Sequence, residues 1–432
     1  MKIKVSEPNS YSRNLDIEIP WNDLQDDFKK AINSFKKRVK LPGFRPGKVP
    51  DKVIMKQYLP AIEADFVEKN LNKYYMMALQ EQNIIPVNQG QVTDVHFHYE
   101  SDFKMQVNCE VEPEIKLPAL KKNSLKAQLK KYEVDEEDVN MAVDELRRQH
   151  SEVRTVEESA KDGHFILANL QRLDESGVPV IGDRIDSRFI RVGDPPFDAD
   201  RAEYLIGAKI GDKVKATLPG ATPDEKSIYE VEILNIEEQV LPEVNDDFVK
   251  MVDADAKTVA EMRKRIKTRV EDNYKFRAEE DFDREISDSY IEMAKLEYPP
   301  SMVDSYLDHI VEDLKKQQQG ANLDENKVRE TYKDIAVRNL KWYLLRKAVI
   351  AQKNLEVTKE EIDAEIQKLL DRSPEHSKEI EKYYKKPSNR QRIEDDQMEK
   401  KILGYLKEFT KVKEVTIKTK DLRKENSAKE KK

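Results

Sequence analysis

Glycine is scarce in this chain of 432 residues, at 12 where average usage of ~7% would give about 30. That excludes glycine-rich low-complexity and collagen-like architectures and leaves room for long helices. Cysteine is nearly absent: Cys109 stands alone, so no internal disulfide and no multi-cysteine metal cage can form. Long apolar runs are missing as well. Met1 to Ser10 contains none, and nowhere do ~18 apolar residues follow one another, which leaves no signal-peptide or membrane-span candidate and sets the expectation of a cytoplasmic protein. An excess of positive charge is lacking too, with Lys plus Arg at 77 against Asp plus Glu at 85 and a net charge of -8. Non-specific nucleic-acid binding by the whole chain is therefore disfavoured.

The usual signatures of chemistry are equally sparse. No glycine-rich phosphate loop, Ser/His/Asp arrangement or His-Glu-x-x-His motif occurs, and no cofactor is expected. His96 and His98 fall on the polar side of a strand pattern without a third ligand nearby, so no metal site is expected either. Acid pairs such as Glu136-Glu137 and Asp395-Asp396 follow from the acidic composition and read as solvated helix faces.

What is present is charge of mixed sign, 38% of the chain, interspersed with apolar residues at helical spacing, under a mean hydropathy of -0.81. The pattern predicts a mostly helical, extended molecule of about three domains. Seven glycines, Gly163, Gly177, Gly182, Gly193, Gly207, Gly211 and Gly220, fall in one window and mark turns between short apolar runs. That window, 151–240, reads as a small antiparallel β-rich domain. Residues 1–112 read as an α+β unit: strands carrying Ile3, Val5, Leu15, Ile17 and Ile19, a helix with Leu24, Phe28, Phe35 and Val39 on one stripe, a second helix from Asp51 to Gln82, and strands Val92 to Tyr99 and Phe103 to Val111. Cys109 alternates in phase with Phe103, Met105 and Val107 and is expected to be buried. Residues 113–150 read as a linker plus a helix, capped at Asp135, that packs with later helices. Residues 241–432 read as a helical domain, with capping boxes at Thr258/Glu261 and Thr358/Glu361, ending in a frayed basic tail.

One segment stands against the acidic background. From Lys29 to Lys52 nine Lys or Arg meet a single acid, Asp51, for a local net charge of +8. Within it, Leu41-Pro42-Gly43-Phe44-Arg45-Pro46-Gly47-Lys48-Val49-Pro50 joins two helices, and its prolines and glycines stop both from running through. The loop offers a ring (Phe44), a guanidinium (Arg45) and an ammonium (Lys48), groups suited to an anionic partner with an apolar foothold.

Gly43-Phe44-Arg45-Pro46-Gly47-Lys48-Val49-Pro50 resembles the Gly-Phe-Arg-x-Gly-Lys-x-Pro docking signature of the bacterial trigger factor family at every fixed position. The resemblance extends over essentially the whole chain, through Leu241-Pro242-Glu243 and the stretch from Val249 to Arg265. It implies an ATP-independent cytosolic chaperone that docks on the large ribosomal subunit at the exit tunnel, through Phe44, Arg45 and Lys48 on ribosomal protein and RNA, and shields nascent chains. It also implies an FK506-binding type of prolyl isomerase fold for the insert, and leaves a homodimer off the ribosome open. Val192-Gly193-Asp194 and Ile206-Gly207-Ala208-Lys209-Ile210-Gly211-Asp212 fit that fold, but Pro195-Pro196-Phe197 replaces the family's Pro-Gly-aromatic pocket entry, and Gly177 to Asp183 departs from the pocket wall. Phe165, Phe189, Phe197 and Tyr204 are the candidate pocket, with isomerase activity expected to be weak or absent. Met302, Tyr306, Ile310, Leu340, Tyr343, Leu344 and Leu403 are the candidate client-binding residues on helical ridges. The alternatives are prolyl isomerisation as the main activity, or a scaffold for folded partner proteins.

Overall fold

The computed structural model describes residues 1–42, 44, 47–174, 176–219, 226–317 and 323–430, excepting the side chains of 199, 226 and 426–430. In chain order, strands β1 (Lys2–Ser6) and β2 (Ser12–Ile19) precede helices α1 (Trp21–Arg38) and α2 (Asp51–Glu81), then β3 (Gln91–His96), β4 (Phe103–Glu110) and β5 (Leu125–Glu133). Helix α3 (Glu136–Gln149) leads into β6 (Glu152–Thr155), β7 (Phe165–Leu173), β8 (Pro179–Arg191), a 3-10 turn at Ala199–Tyr204, β9 (Lys213–Pro219) and β10 (Lys226–Val240). Then come α4 (Asp246–Val252), α5 (Val259–Ala294), α6 (Pro300–Gln317), α7 (Glu325–Lys353), α8 (Lys359–Arg372), α9 (Ser377–Tyr384), α10 (Pro387–Lys407), β11 (Thr410–Lys418) and α11 (Thr419–Glu430).

The chain divides into two compact units. One comprises Met1–Gln128 and Asp281–Lys413, the other Leu129–Glu280 and Glu414–Lys432.

In the first unit an antiparallel sheet of order β1-β2-β4-β3 is set by strand alternation. Leu15, Ile17 and Ile19 stand opposite Val107, Met105 and Phe103, and all six are buried under the two helices, while Asp16 and Glu18 face Gln106 and Lys104 on the other side. Cys109 continues the buried row. Helix α1 has no side-chain cap of its own, but the Trp21 N–H donates to Asp102 Oδ1 at 2.9 Å, so the residue just ahead of β4 satisfies one of its orphan donors. Phe28 and Phe66, both fully buried, meet edge-on at 5.4 Å and tie α1 to α2. Burial of each such ring contributes roughly 1.5–3 kcal/mol. Further along this unit, Val303 and Leu307 of α6 pack on Ala336, Leu340 and Leu344 of α7, and Ile362 and Ile366 of α8 on Ile393 of α10.

In the second unit the sheet runs β6-β10-β7-β8 with β9 also on β10, around a core of Ile166, Ala168, Phe197, Leu205, Val231 and Ile236. Val139 and Val143 of α3 pack on Phe248, Val249, Met262 and Ile266.

The C-terminal third is helical with one departure from the expected all-helical run and frayed tail. Residues 410–418 form β11, paired with β5, and five of those nine residues are β-branched. Beyond it, Thr419 is fully buried and Arg423 bonds Asp135 at 2.6 and 2.8 Å and also Asp138, which anchors α11 to the start of α3. The capping box at Thr358/Glu361 is complete; at Thr258 the hydroxyl accepts from the Glu261 N–H at 3.3 Å as expected, but the Glu261 carboxylate accepts from the Lys257 N–H at 2.8 Å rather than from Thr258.

Candidate functional site

The basic loop hangs between two helices that are locked together. Asp27 of α1 accepts from the Tyr74 hydroxyl at 3.2 Å, pairs with Lys30 at 2.9 Å and with Lys73 of α2. The Lys73 ammonium, more than any other group, holds the Asp27 carboxyl at about 2, against the 3.8 ordinary for aspartate. Asp65 of α2 holds Arg38 at 2.5 Å and Lys69 at 2.8 Å. Closer to the loop, Lys36 pairs with Asp51 across the two helix ends.

The loop itself is pinned at several points. The Phe44 N–H donates to Leu41 O and the Gly47 N–H to Lys36 O, each at 3.1 Å. Gly47 has φ +80, a conformation that a side chain would strain, and Val49 is buried in the core as an anchor. The Val53 and Ile54 N–H groups both bond Pro50 O and start α2.

On this frame Phe44 remains 40% exposed, a high value for a phenyl ring in a pinned turn. Lys37, Lys40, Lys48 and Lys52 are exposed and make no ion pair among the described residues. An exposed ring among unneutralised ammonium groups can seat on an anionic surface without first breaking internal bonds. Arg45, with Gly43 and Pro46, lies outside the described residues.

The four candidate pocket aromatics do not converge. Phe197 is fully buried in the core of the β domain. Phe165 and Phe189 occupy the opposite face of the sheet, because they alternate with the buried Ile166 and Ile190. The Arg191 guanidinium lies over the Phe165 ring at 5.8 Å, Phe189 is exposed beside Leu167, and Tyr204 is exposed on the 3-10 turn. Proximity in sequence does not place these rings on one side of the pleat. His96 Nε2 lies 2.9 Å from Asp94 and His98 Nδ1 3.9 Å from Glu63. Among the described residues no group of three or more His, Cys, Asp or Glu is arranged to hold a metal, and no helix is long and apolar enough to cross a membrane.

Two family models match the chain. The bacterial trigger factor protein model covers residues 1–146 and the trigger factor C-terminus model covers residues 258–408. The chain belongs to the bacterial trigger factor family. Its relatives include the trigger factors of Syntrophotalea carbinolica, 24% identical with 96% of this chain and 97% of that one covered, and of Natranaerobius thermophilus, 27% identical with 92% and 93% covered. The trigger factor of Chlorobium phaeobacteroides is 26% identical with 94% and 96% covered. A solved structure of the trigger factor chaperone, described for promiscuous substrate recognition in folding and assembly activities, aligns over 94% of this chain at 19% identity and a TM-score of 0.44. Membership of the trigger factor family gives the chain a chaperone role.

For a trigger factor the exposed apolar side chains on the helices matter next, and here the expected set divides. Leu340, Leu344 and Leu403 are buried, so they act in packing and are not available to a client. The reason lies in helix phase: the buried line of α6 is Val303-Leu307-Val311, one residue off the expected ridge, and Leu340 and Leu344 of α7 close on it. Met302 and Ile310 are half-buried at its margin. Tyr306 and Tyr343 remain exposed, and Ile335, absent from the sequence-based set, joins them at 49% exposure. Ile335, Asn339 and Tyr343 follow one another at i, i+4, i+8 on α7, and the Asn339 amide donates to the Tyr306 hydroxyl at 2.9 Å, joining the two helices between the exposed Ile335 and Tyr343. That spacing of Ile335 to Tyr343 was the available signal.

Proposed function

We propose that this trigger factor is an ATP-independent holdase that docks on the large ribosomal subunit at the polypeptide exit site and shelters nascent chains there. The observation that carries the reading is the exposed Phe44 ring beside Lys48 on a loop pinned between two ion-paired helices. In this reading residues 1–112 dock, residues 151–240 form the FK506-binding-like domain, and residues 241–432 offer the client surface. Phe44, Arg45 and Lys48 contact ribosomal protein and RNA. Tyr306, Ile335 and Tyr343, flanked by Met302 and Ile310, hold apolar client segments. Such contacts are individually weak, and docking near the emerging chain supplies the effective concentration that makes them suffice.

Co-sedimentation with ribosomes tests the docking. Substituting Phe44→Ala, Arg45→Ala and Lys48→Ala together is expected to weaken binding at least tenfold, about 1.4 kcal/mol. Unchanged binding defeats the assignment. The insert is proposed to isomerise prolyl peptides weakly or not at all, because its aromatic residues are split between the core and the far face of the sheet. A tetrapeptide assay with activity near that of a dedicated isomerase, abolished by Tyr204→Ala, would show the reverse.

A further inference from the structure

A second basic tip occurs in the helical region, where α9 turns into α10. Residues 382–393 contain Lys382, Lys385, Lys386, Arg390 and Arg392 and no acid. Lys378, Lys382 and Lys385 recur at i, i+4, i+7 and share one side of α9, with Lys386 following in the turn. All four lysines and Arg392 are exposed. Arg390 is neutralised by Asp363, and Glu379 is engaged by His376 at 3.3 Å. Glu381, the acid beside the lysine stripe, forms no ion pair with it among the described residues, nor do Lys378, Lys382, Lys385 or Lys386 find another carboxylate.

The turn is closed by its own hydrogen bonds and packed on a core beneath it. Asn389 is buried and its amide donates to Tyr383 O at 2.6 Å, closing the end of α9. The Lys385 N–H bonds Glu381 O and the Asn389 N–H bonds Lys386 O, each at 3.1 Å. Beneath, Tyr384 packs on the core of Ile362, Ile366 and Ile393. Above it, Tyr383 stands 47% exposed, edge-on to Tyr384 at 5.0 Å, with its hydroxyl accepting from Arg392 at 3.3 Å. An exposed ring bonded to the Arg392 guanidinium, in a turn that also carries Lys382, Lys385 and Lys386, offers what single-stranded nucleic acid requires: a face for a base to stack on and charges for its phosphates.

We propose that the α9–α10 turn is an RNA-binding site, taking the backbone of single-stranded RNA on Lys382, Lys385, Lys386 and Arg392 and stacking a base on Tyr383. An acidic polypeptide would satisfy the lysines alone, whereas RNA also presents bases that stack on the exposed Tyr383 ring, which favours RNA. The site is separate from the loop at Phe44 and does not depend on the docking role given to that loop.

The test is fluorescence anisotropy of a labelled 20-nucleotide oligouridylate with the full chain carrying Phe44→Ala, Arg45→Ala and Lys48→Ala, which removes the loop's contribution. Four phosphate contacts predict a slope of log K against log salt of about -3. Lys382→Gln, Lys385→Gln and Lys386→Gln together are expected to reduce that slope by about 2 and the affinity at low salt at least tenfold. Tyr383→Ala is expected to weaken binding about fivefold or more without changing the slope. RNA binding that is absent, or that survives the three glutamine substitutions, overturns the proposal. So does displacement of the RNA by polyglutamate of equal charge as readily as by unlabelled RNA, which would make this a site for acidic polypeptides. Ribosome co-sedimentation of the loop variant reads the docking assignment separately.

Discussion

Asp27 links the basic loop to the stability of its support, and its charge can be removed with little change in shape. The side chain is largely shielded, and with Lys73 first among the causes its carboxyl is held at about 2 rather than 3.8. A shift of that size corresponds to roughly 2 kcal/mol at 1.36 kcal/mol per pH unit, and to about 1–2 kcal/mol once the half-exposed Lys73 is allowed for. The folded value lies below the unfolded one, so the stabilisation is complete above about pH 4 and disappears as pH falls towards 2. Asp27→Asn should therefore destabilise the N-terminal region by about 1–2 kcal/mol at pH 7, with the difference from the parent shrinking between pH 4 and 2. Urea unfolding followed by fluorescence reads this directly, since Trp21 sits edge-on to Phe28 at 5.5 Å in the same core; a Trp342→Phe background removes the second tryptophan. A difference that stays constant from pH 7 to 3, or falls below about 0.3 kcal/mol at pH 7, would refute the reasoning that the Asp27 charge clamps α1 to α2.

Three further outcomes follow from the packing. A Cβ on Gly90 would lie 2.5 Å from Tyr75 Cζ and 2.8 Å from Val107 Cγ1, so Gly90→Ala should cost about 1–3 kcal/mol in denaturant melts. Phe197→Ala should cost about 3–5 kcal/mol in the β domain, as a fully buried ring does, measured by calorimetry. Arg423→Ala leaves the buried Asp138 without its guanidinium partner and should raise hydrogen exchange across α11 and the first turn of α3, at roughly 2–4 kcal/mol of local stability.

The sequence made some features plain for physical reasons. Alternation at Leu15, Ile17, Ile19 and at Phe103, Met105, Val107 determines both strand type and buried face, and prolines and glycines bound the loop between α1 and α2. Of the seven glycines expected to mark turns of the β domain, Gly163, Gly177, Gly193, Gly207 and Gly211 do so, Gly182 lies within β8, and Gly220 lies outside the described residues. Less legible were elements whose partner is distant in sequence. Strand β5 alternates at Leu125 and Ala127, and β11 is rich in β-branched residues, but each becomes a strand by pairing with the other nearly 300 residues away. Helix phase was the other difficulty: Leu340 and Leu344 share an apolar face with residues that stay exposed, and only the packing of α6 decides which are covered. In the loop, residue types pointed to Phe44 and Lys48 directly, while the Gly47 N–H to Lys36 O bond and the buried Val49 that hold them in place left no motif.

The docking claim is tested most directly by placing a photocrosslinking amino acid at Phe44 and irradiating the full chain on ribosomes, with the same residue at the 83% exposed Ile85 as control. The account predicts adducts to protein and RNA of the large subunit at the exit site from position 44 and little from position 85. Equal yields from both positions, or adducts confined to the small subunit, would contradict it.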